Sequence, residues 1–159
     1  MIEDKKETLK ERRGQTSELI EHMLDERKQL LALLLQVSSL ESDGPHDPTE
    51  PDLELLDEFC QMLVDYIASG HFGLYERIIK KKERRKKVAE LAVKVYPRID
   101  ETTQEALGFN EKYDPNNSVS DLTELPRDLS RLGEQLTNRI ELEDRLINLL
   151  LGPADTLQI

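Results

Sequence analysis

The sequence predicts an all-α fold, an antiparallel four-helix bundle with an extra short helix after a break at Gly70. Three observations predict it. Apolar residues recur at steps of three and four along most of the chain. Only seven glycines occur in 159 residues, and aromatics make up 4%. Four long periodic segments are joined by short links, the connectivity of an antiparallel bundle. No repeat or second domain is visible, and a chain of this length usually makes one domain, here residues 1–159.

The first helix is expected over residues 3–40, where Leu9, Arg13, Thr16, Ile20, Met23, Arg27, Leu30, Leu34 and Val37 keep one helical face. Residues Glu41 to Glu50 collect Ser, Asp, Gly, two prolines and His46, the local signals of a loop. A second helix spans 52–69, capped by Asp52 or a neighbour, with Leu56, Cys60, Leu63 and Ile67 as its apolar stripe. Glycine costs about 1 kcal/mol inside a helix, so Gly70 reads as a bend or stop, followed by a third, short helix over 72–83.

The fourth helix covers 86–113, with Val88, Leu91, Val95, Ile99, Thr103, Ala106 and Asn110 on one side. Pro97 lies inside it; a proline there removes a hydrogen bond and predicts a kink or brief interruption near Val93 to Tyr96. Asp114-Pro-Asn-Asn-Ser is a turn. The last helix is expected over 122–151, ended by Gly152-Pro153.

Charge narrows the function. A formal net charge of -11 disfavours a general nucleic-acid binder, because phosphate contacts need positive surface. It favours a basic partner, with association slowed as salt screens charges beyond roughly 8 Å, and a monomer when free. The charged N-terminus carries no apolar segment of a secretory signal. The longest apolar run, Leu30 to Leu35, is far below the roughly 20 residues a spanning helix needs, so a cytoplasmic chain without membrane association is expected. Cys60, the single cysteine, excludes an internal disulfide and reads as a buried, inert thiol. Without a glycine-rich phosphate loop, a nucleophile motif or a paired acid and base, no enzyme, catalytic residue or cofactor is expected.

Two charges interrupt apolar seams. The last helix reads Leu125, Leu129, Leu132, Leu136, Ile140, then Glu143, then Ile147 and Leu150, and Arg27 interrupts the first helix likewise. Unpaired buried charge costs several kcal/mol, so Arg27 and Glu143 are expected to meet across the core and to recruit Tyr66, His71 or Tyr75. The rival arrangement is a metal centre, since bundles hold metals with inward His and carboxylates. His22 and Glu26 have the right i, i+4 step. Three histidines, one of them in a loop, are too few for the usual repeated motif, and no metal ligand is assigned. Lys80 to Lys87 is a basic island, read either as a solvated helix end and turn or as a contact for nucleic acid or another acidic surface.

The side of the second helix opposite its apolar stripe carries Glu58, Gln61, Met62, Asp65, Ala68 and Ser69, and Phe72 follows just past Gly70. A carboxylate, small residues and an aromatic beside a helix break make a docking surface. In the competing reading Phe72 folds beneath the break into the core.

The run Phe59-Cys60-Gln61-x-Leu63-Val64-Asp65-Tyr66-x-x-x-Gly70-His71-Phe72-x-x-Tyr75-Glu76-Arg77 resembles the signature of the Rsd/AlgQ family, bacterial regulators of the primary sigma factor of RNA polymerase. Leu24-x-x-Arg27-Lys28-x-Leu30-Leu31, Tyr96-Pro97-Arg98 and Leu142-Glu143-Asp144-x-Leu146-Ile147 extend the likeness over most of the chain. The resemblance implies an anti-sigma factor that binds the C-terminal helix-turn-helix domain of the primary sigma factor. Covering that basic domain would keep it from promoter DNA and from core polymerase. The resemblance also implies roles: Asp65 receives an arginine or lysine of sigma, Ala68 admits its backbone closely, and Phe72 is the apolar anchor. Glu58, Met62 and Ser69 flank them. Ala68 stands where some relatives carry Ser, and Met23 where relatives often carry Trp. From the residues alone, a metal-binding or ligand-sensing bundle and an adaptor for another basic protein stay open.

Overall fold

The computed structural model describes residues 2–41, 49–80, 86–117 and 122–156, with side-chain surroundings for 14–40, 49–79, 86–116 and 122–151. Its helices are α1 (Ile2–Ser38), α2 (Glu50–Gly70), α3 (Glu76–Lys80), α4 (Lys86–Tyr113) and α5 (Leu125–Thr156). The loop between α1 and α2, including His46, and most of the basic island Lys80 to Lys87 lie outside the described residues.

Paired side chains give the helix directions. Arg27 meets Tyr66, Glu26 meets Ser69 and Gln15 meets Arg77, so positions rise on α1 as they fall on α2 and α3. Phe59 meets Phe109 and Tyr75 meets Tyr96, which makes α2 and α4 antiparallel. Glu105 meets Arg131 and Thr102 meets Arg139, which does the same for α4 and α5. The four long helices form the expected antiparallel bundle.

Its core is built from the predicted stripes with small shifts in phase. Leu56, Cys60, Leu63 and Ile67 are buried, and Phe59 and Tyr66 join them. Burial, with Asp114 and Asp57 nearby, pushes the Cys60 thiol up to about 12, which keeps it protonated and unreactive. On α4 the buried face is Val88, Ala92, Val95, Ile99, Thr102, Ala106, Phe109 and Tyr113, so Leu91, Thr103 and Asn110 flank the core rather than fill it. Phe109 stands edge-on to Phe59 at 5.7 Å and tilted against Tyr113 at 4.7 Å.

Local signals explain the ends. Thr49 caps α2: its hydroxyl accepts from the Asp52 amide at 3.3 Å while its own amide donates to the Asp52 carboxylate at 3.2 Å, a reciprocal box that satisfies two otherwise orphaned donors. Asp114 turns the chain after α4 by accepting from the Asn116 amide at 3.0 Å. The α4 and α5 ends are tied where Lys112 and the Tyr113 hydroxyl both donate to Asp128, at 2.7 and 2.5 Å.

Two expectations about breaks are corrected. Gly70 does not stop the helix: its φ and ψ are -64° and -44°, and the chain passes from α2 through one wide π-helical stretch, His71–Tyr75, directly into α3. The predicted third helix therefore begins as a loosened continuation of the second. Likewise the brief interruption expected ahead of Pro97 is absent, since α4 is one continuous helix over Lys86–Tyr113. Pro97 and Val93 both lie on the exposed face, where a carbonyl left without its amide partner can bind water.

Candidate functional site

Glu143 is the centre of a polar layer in the middle of the bundle. It is fully buried and accepts hydrogen bonds from three groups: Arg139 Nε at 3.0 Å, Arg27 Nη2 at 3.4 Å and the Tyr66 hydroxyl. Arg27 reaches further, donating from Nη1 to Asp144 at 2.7 Å and from Nε to the Tyr66 oxygen at 3.0 Å. Arg139 spends its Nη1 on Thr103 Oγ1 at 2.7 Å, Thr102 Oγ1 at 3.1 Å and the Ile99 carbonyl at 3.5 Å. The buried carboxylate thus ties α1, α2 and α5 together, and Arg139 extends the layer to α4.

The environment tunes each group. Burial opposes the charge of Arg27, but Tyr66, Asp144 and Glu143 more than offset it and hold the guanidinium protonated. Burial, reinforced by Glu143, pushes the Tyr66 phenol well above its usual range, against the pull of Arg27. Arg27 is therefore held as a cation beside a neutral phenol.

Arg27, Glu143 and Tyr66 come together as the sequence predicts. His71 and Tyr75 do not join them. His71 is one residue, about 100°, around the helix from buried Gly70, and so it faces solvent with its ring edge-on to Phe72 at 4.9 Å. Tyr75 is buried, yet its hydroxyl has no partner among the described residues. Arg139 was not anticipated. The apolar Ile140 occupied its place in the predicted seam, although Arg139 lies three residues after Leu136 and four before Glu143, the spacing at which helical neighbours pair.

Gly70 owes its identity to this layer. A Cβ there would stand 2.7 Å from Glu143 Oε2 and 3.2 Å from Arg139 Nη2. The helix backbone can approach the buried ion pair only because position 70 has no side chain.

Outside the layer, α2 and its π-helical continuation present the predicted surface. Glu58 and Asp65 are exposed, Met62 and Ala68 are half-buried, and Phe72 is 65% exposed, which overturns the reading that tucked it into the core. Ser69 is turned inward, its hydroxyl donating to Glu26, which also lies 3.3 Å from His22 Nε2. No cluster of three or more His, Cys, Asp or Glu suited to a metal ion occurs among the described residues. Beside Phe72 a cleft of about 250 Å³ opens between α2 and α4, walled by Ala68, Phe72, Ile99 and Leu107 with Asp100 among its lining residues. Among the described residues, no helix is long and apolar enough to cross a membrane.

This chain matches, over residues 1–151, the family described as regulator of RNA polymerase sigma(70) subunit, Rsd/AlgQ. It is 40% identical over 146 residues to the regulator of sigma D of Yersinia enterocolitica, covering 89% of this chain and 85% of that protein. The regulator of sigma D of Enterobacter sp. strain 638 is 37% identical, with 91% and 87% covered. That of Yersinia pestis is 39% identical, with 89% and 84% covered.

Proposed function

The chain belongs to the Rsd/AlgQ family of regulators of the RNA polymerase sigma(70) subunit, and from that membership we propose that it is an anti-sigma factor working by occlusion. The open face of α2 covers the C-terminal helix-turn-helix domain of the primary sigma factor. The observation that carries this reading is an exposed carboxylate, Asp65, seven residues from the exposed ring of Phe72 on one helix of a strongly acidic protein. A basic domain that grips DNA phosphates and polymerase is complementary to such a surface. Opposite charge speeds the encounter, while an aromatic anchor supplies affinity once water is excluded.

In this scheme Asp65 receives an arginine or lysine of sigma, Phe72 fills an apolar hollow on it, and Ala68 lets the partner backbone approach. Glu58 and Met62 line the edge. Ser69 supports the face from within, since its hydroxyl already donates to Glu26. The action is non-covalent, takes place in the bacterial cytoplasm, and is carried out by a monomer that withdraws sigma in proportion to concentration and affinity.

Asp65→Arg tests the reading directly. Titration calorimetry with purified primary sigma factor should show binding by the natural protein and its loss in the variant, because like charges now face each other. Circular dichroism should show unchanged helical content and melting, as Asp65 is exposed. An unaltered binding isotherm would remove Asp65 from the interface.

A further inference from the structure

The cleft beside Phe72 has a second wall, and that wall repeats the chemistry of the first. On α2 and its continuation, Asp65 and Phe72 stand seven residues apart; on α4, Asp100 and Leu107 do the same. All four are exposed, Phe72 by 65% and Leu107 by 43%. Seven residues are close to two helical turns, so each pair sits on one side of its helix. The helices run in opposite directions, with Phe59 level with Phe109 and Tyr75 level with Tyr96. Phe72 therefore stands near the level of Asp100, and Asp65 nearer that of Leu107. Each end of the cleft offers one carboxylate and one large apolar side chain. Val64, Ala68 and Thr103, all short and half-buried, line the stretch between.

We propose that this groove between α2 and α4 seats an amphipathic helix of the docked sigma factor, with α4 supplying Asp100 and Leu107 as contact residues. The inference rests on the proposed function and deepens it, since it names the shape of the docking segment and adds a second helix to the interface. From the level of Phe72 to that of Leu107, α4 rises roughly 13 Å, the reach of apolar residues just over two turns apart on one face of a helix. The short side chains between these two anchors let a helix lie close along the cleft. Asp100 stands beside the Phe72 end and Asp65 toward the Leu107 end, on opposite helices. Lysines or arginines on both flanks of an apolar ridge therefore each find a carboxylate. Charge disfavours a second copy of this chain as the occupant, because a protein of net charge -11 repels itself and attracts a basic segment.

Asp100→Lys and Leu107→Ser test the groove, since both positions are exposed and neither belongs to the polar layer. Calorimetric titration of the full chain with purified primary sigma factor should show affinity weakened about tenfold or more in each. That is the loss expected of an interface anchor, or of a carboxylate turned against a basic partner. Glu141→Lys makes the same change of charge at an exposed position of α5 outside the cleft, and should leave affinity within about twofold because salt screens it. Circular dichroism should show natural helical content in all three; should Leu107→Ser lose helix, Asp100→Lys alone decides by the same criterion. Natural affinity in the groove variants, with Asp65→Arg still losing it, would overturn the groove, confine the interface to α2 and leave the anti-sigma reading intact. An equal loss in Glu141→Lys would show that overall charge alone is read, and would overturn it as well. Light scattering that finds a dimer of the free chain, dissolved by Leu107→Ser, would give the groove to a second copy and overturn the proposal. Failure of the natural protein itself to bind sigma would overturn the anti-sigma reading and the groove with it.

Discussion

Position 70 shows how a single residue can be read correctly for its type and wrongly for its reason. Intrinsic preference favours alanine over glycine by about 1 kcal/mol in a helix, and the backbone here is helical, so local rules alone predict that Gly70→Ala stabilises. The added carbon would meet Glu143 Oε2 at 2.7 Å, and Glu143 is pinned by Arg139, Arg27 and Tyr66. Relief requires displacing a buried, fully engaged carboxylate. We expect Gly70→Ala to lower stability by about 1–3 kcal/mol, the usual cost of overpacking, read as a lower melting temperature. An equal or higher melting temperature would show that the carboxylate can move aside. The sequence marks the glycine plainly, but the residue that requires it lies 73 positions away on another helix, beyond any local pattern.

At the scale of elements, helix α5 was legible in phase except at one step, but its ends were not: it runs over Leu125–Thr156, so it starts later than expected and Gly152-Pro153 does not end it. Its seam of leucines was visible, as was the intrusion of Glu143, yet the partner on the same helix was hidden because periodicity assigns the apolar Ile140 inward and an arginine outward. Burial of Arg139 depends on α4 offering Thr102, Thr103 and the Ile99 carbonyl, which no reading of α5 alone contains. The Arg139–Glu143 pair has a testable energetic signature. Arg139→Met leaves Glu143 buried with a weaker set of donors and should cost about 3 kcal/mol in urea unfolding. The double variant Arg139→Met/Glu143→Met removes both charges, and should recover a large part of that loss, since an isosteric apolar pair needs no desolvation. Arg27→Ala should cost less than Arg139→Met, because Arg27 is more exposed and shares its charge with the half-exposed Asp144. A double variant no more stable than Arg139→Met would argue that the ion pair itself contributes net stability.

For the whole molecule, hydrophobic period and charge were sufficient to read an antiparallel bundle with an acidic exterior, because both are summed over many residues and tolerate local error. What they could not convey is how the interior treats its phenols. Burial pushes Tyr66, Tyr75 and Tyr113 above the ordinary phenol range, reinforced by Glu143 at the first two and by Asp128 at the third. These acids are therefore held neutral in the fold but ionise near pH 10 in the unfolded chain. Above about pH 10 the unfolded chain releases protons that the native one retains. Linkage then requires stability to be present below that range and to fall as pH rises through it. In a Tyr96→Phe background every remaining tyrosine is one of these three, since the chain has four. Raising the pH should bring the 295 nm absorbance of tyrosinate and the loss of helical circular dichroism together in one cooperative step. Ionisation with the helices intact would mean that water reaches the phenols and that the polar layer opens without unfolding, which would contradict the rigid frame on which the docking face is held.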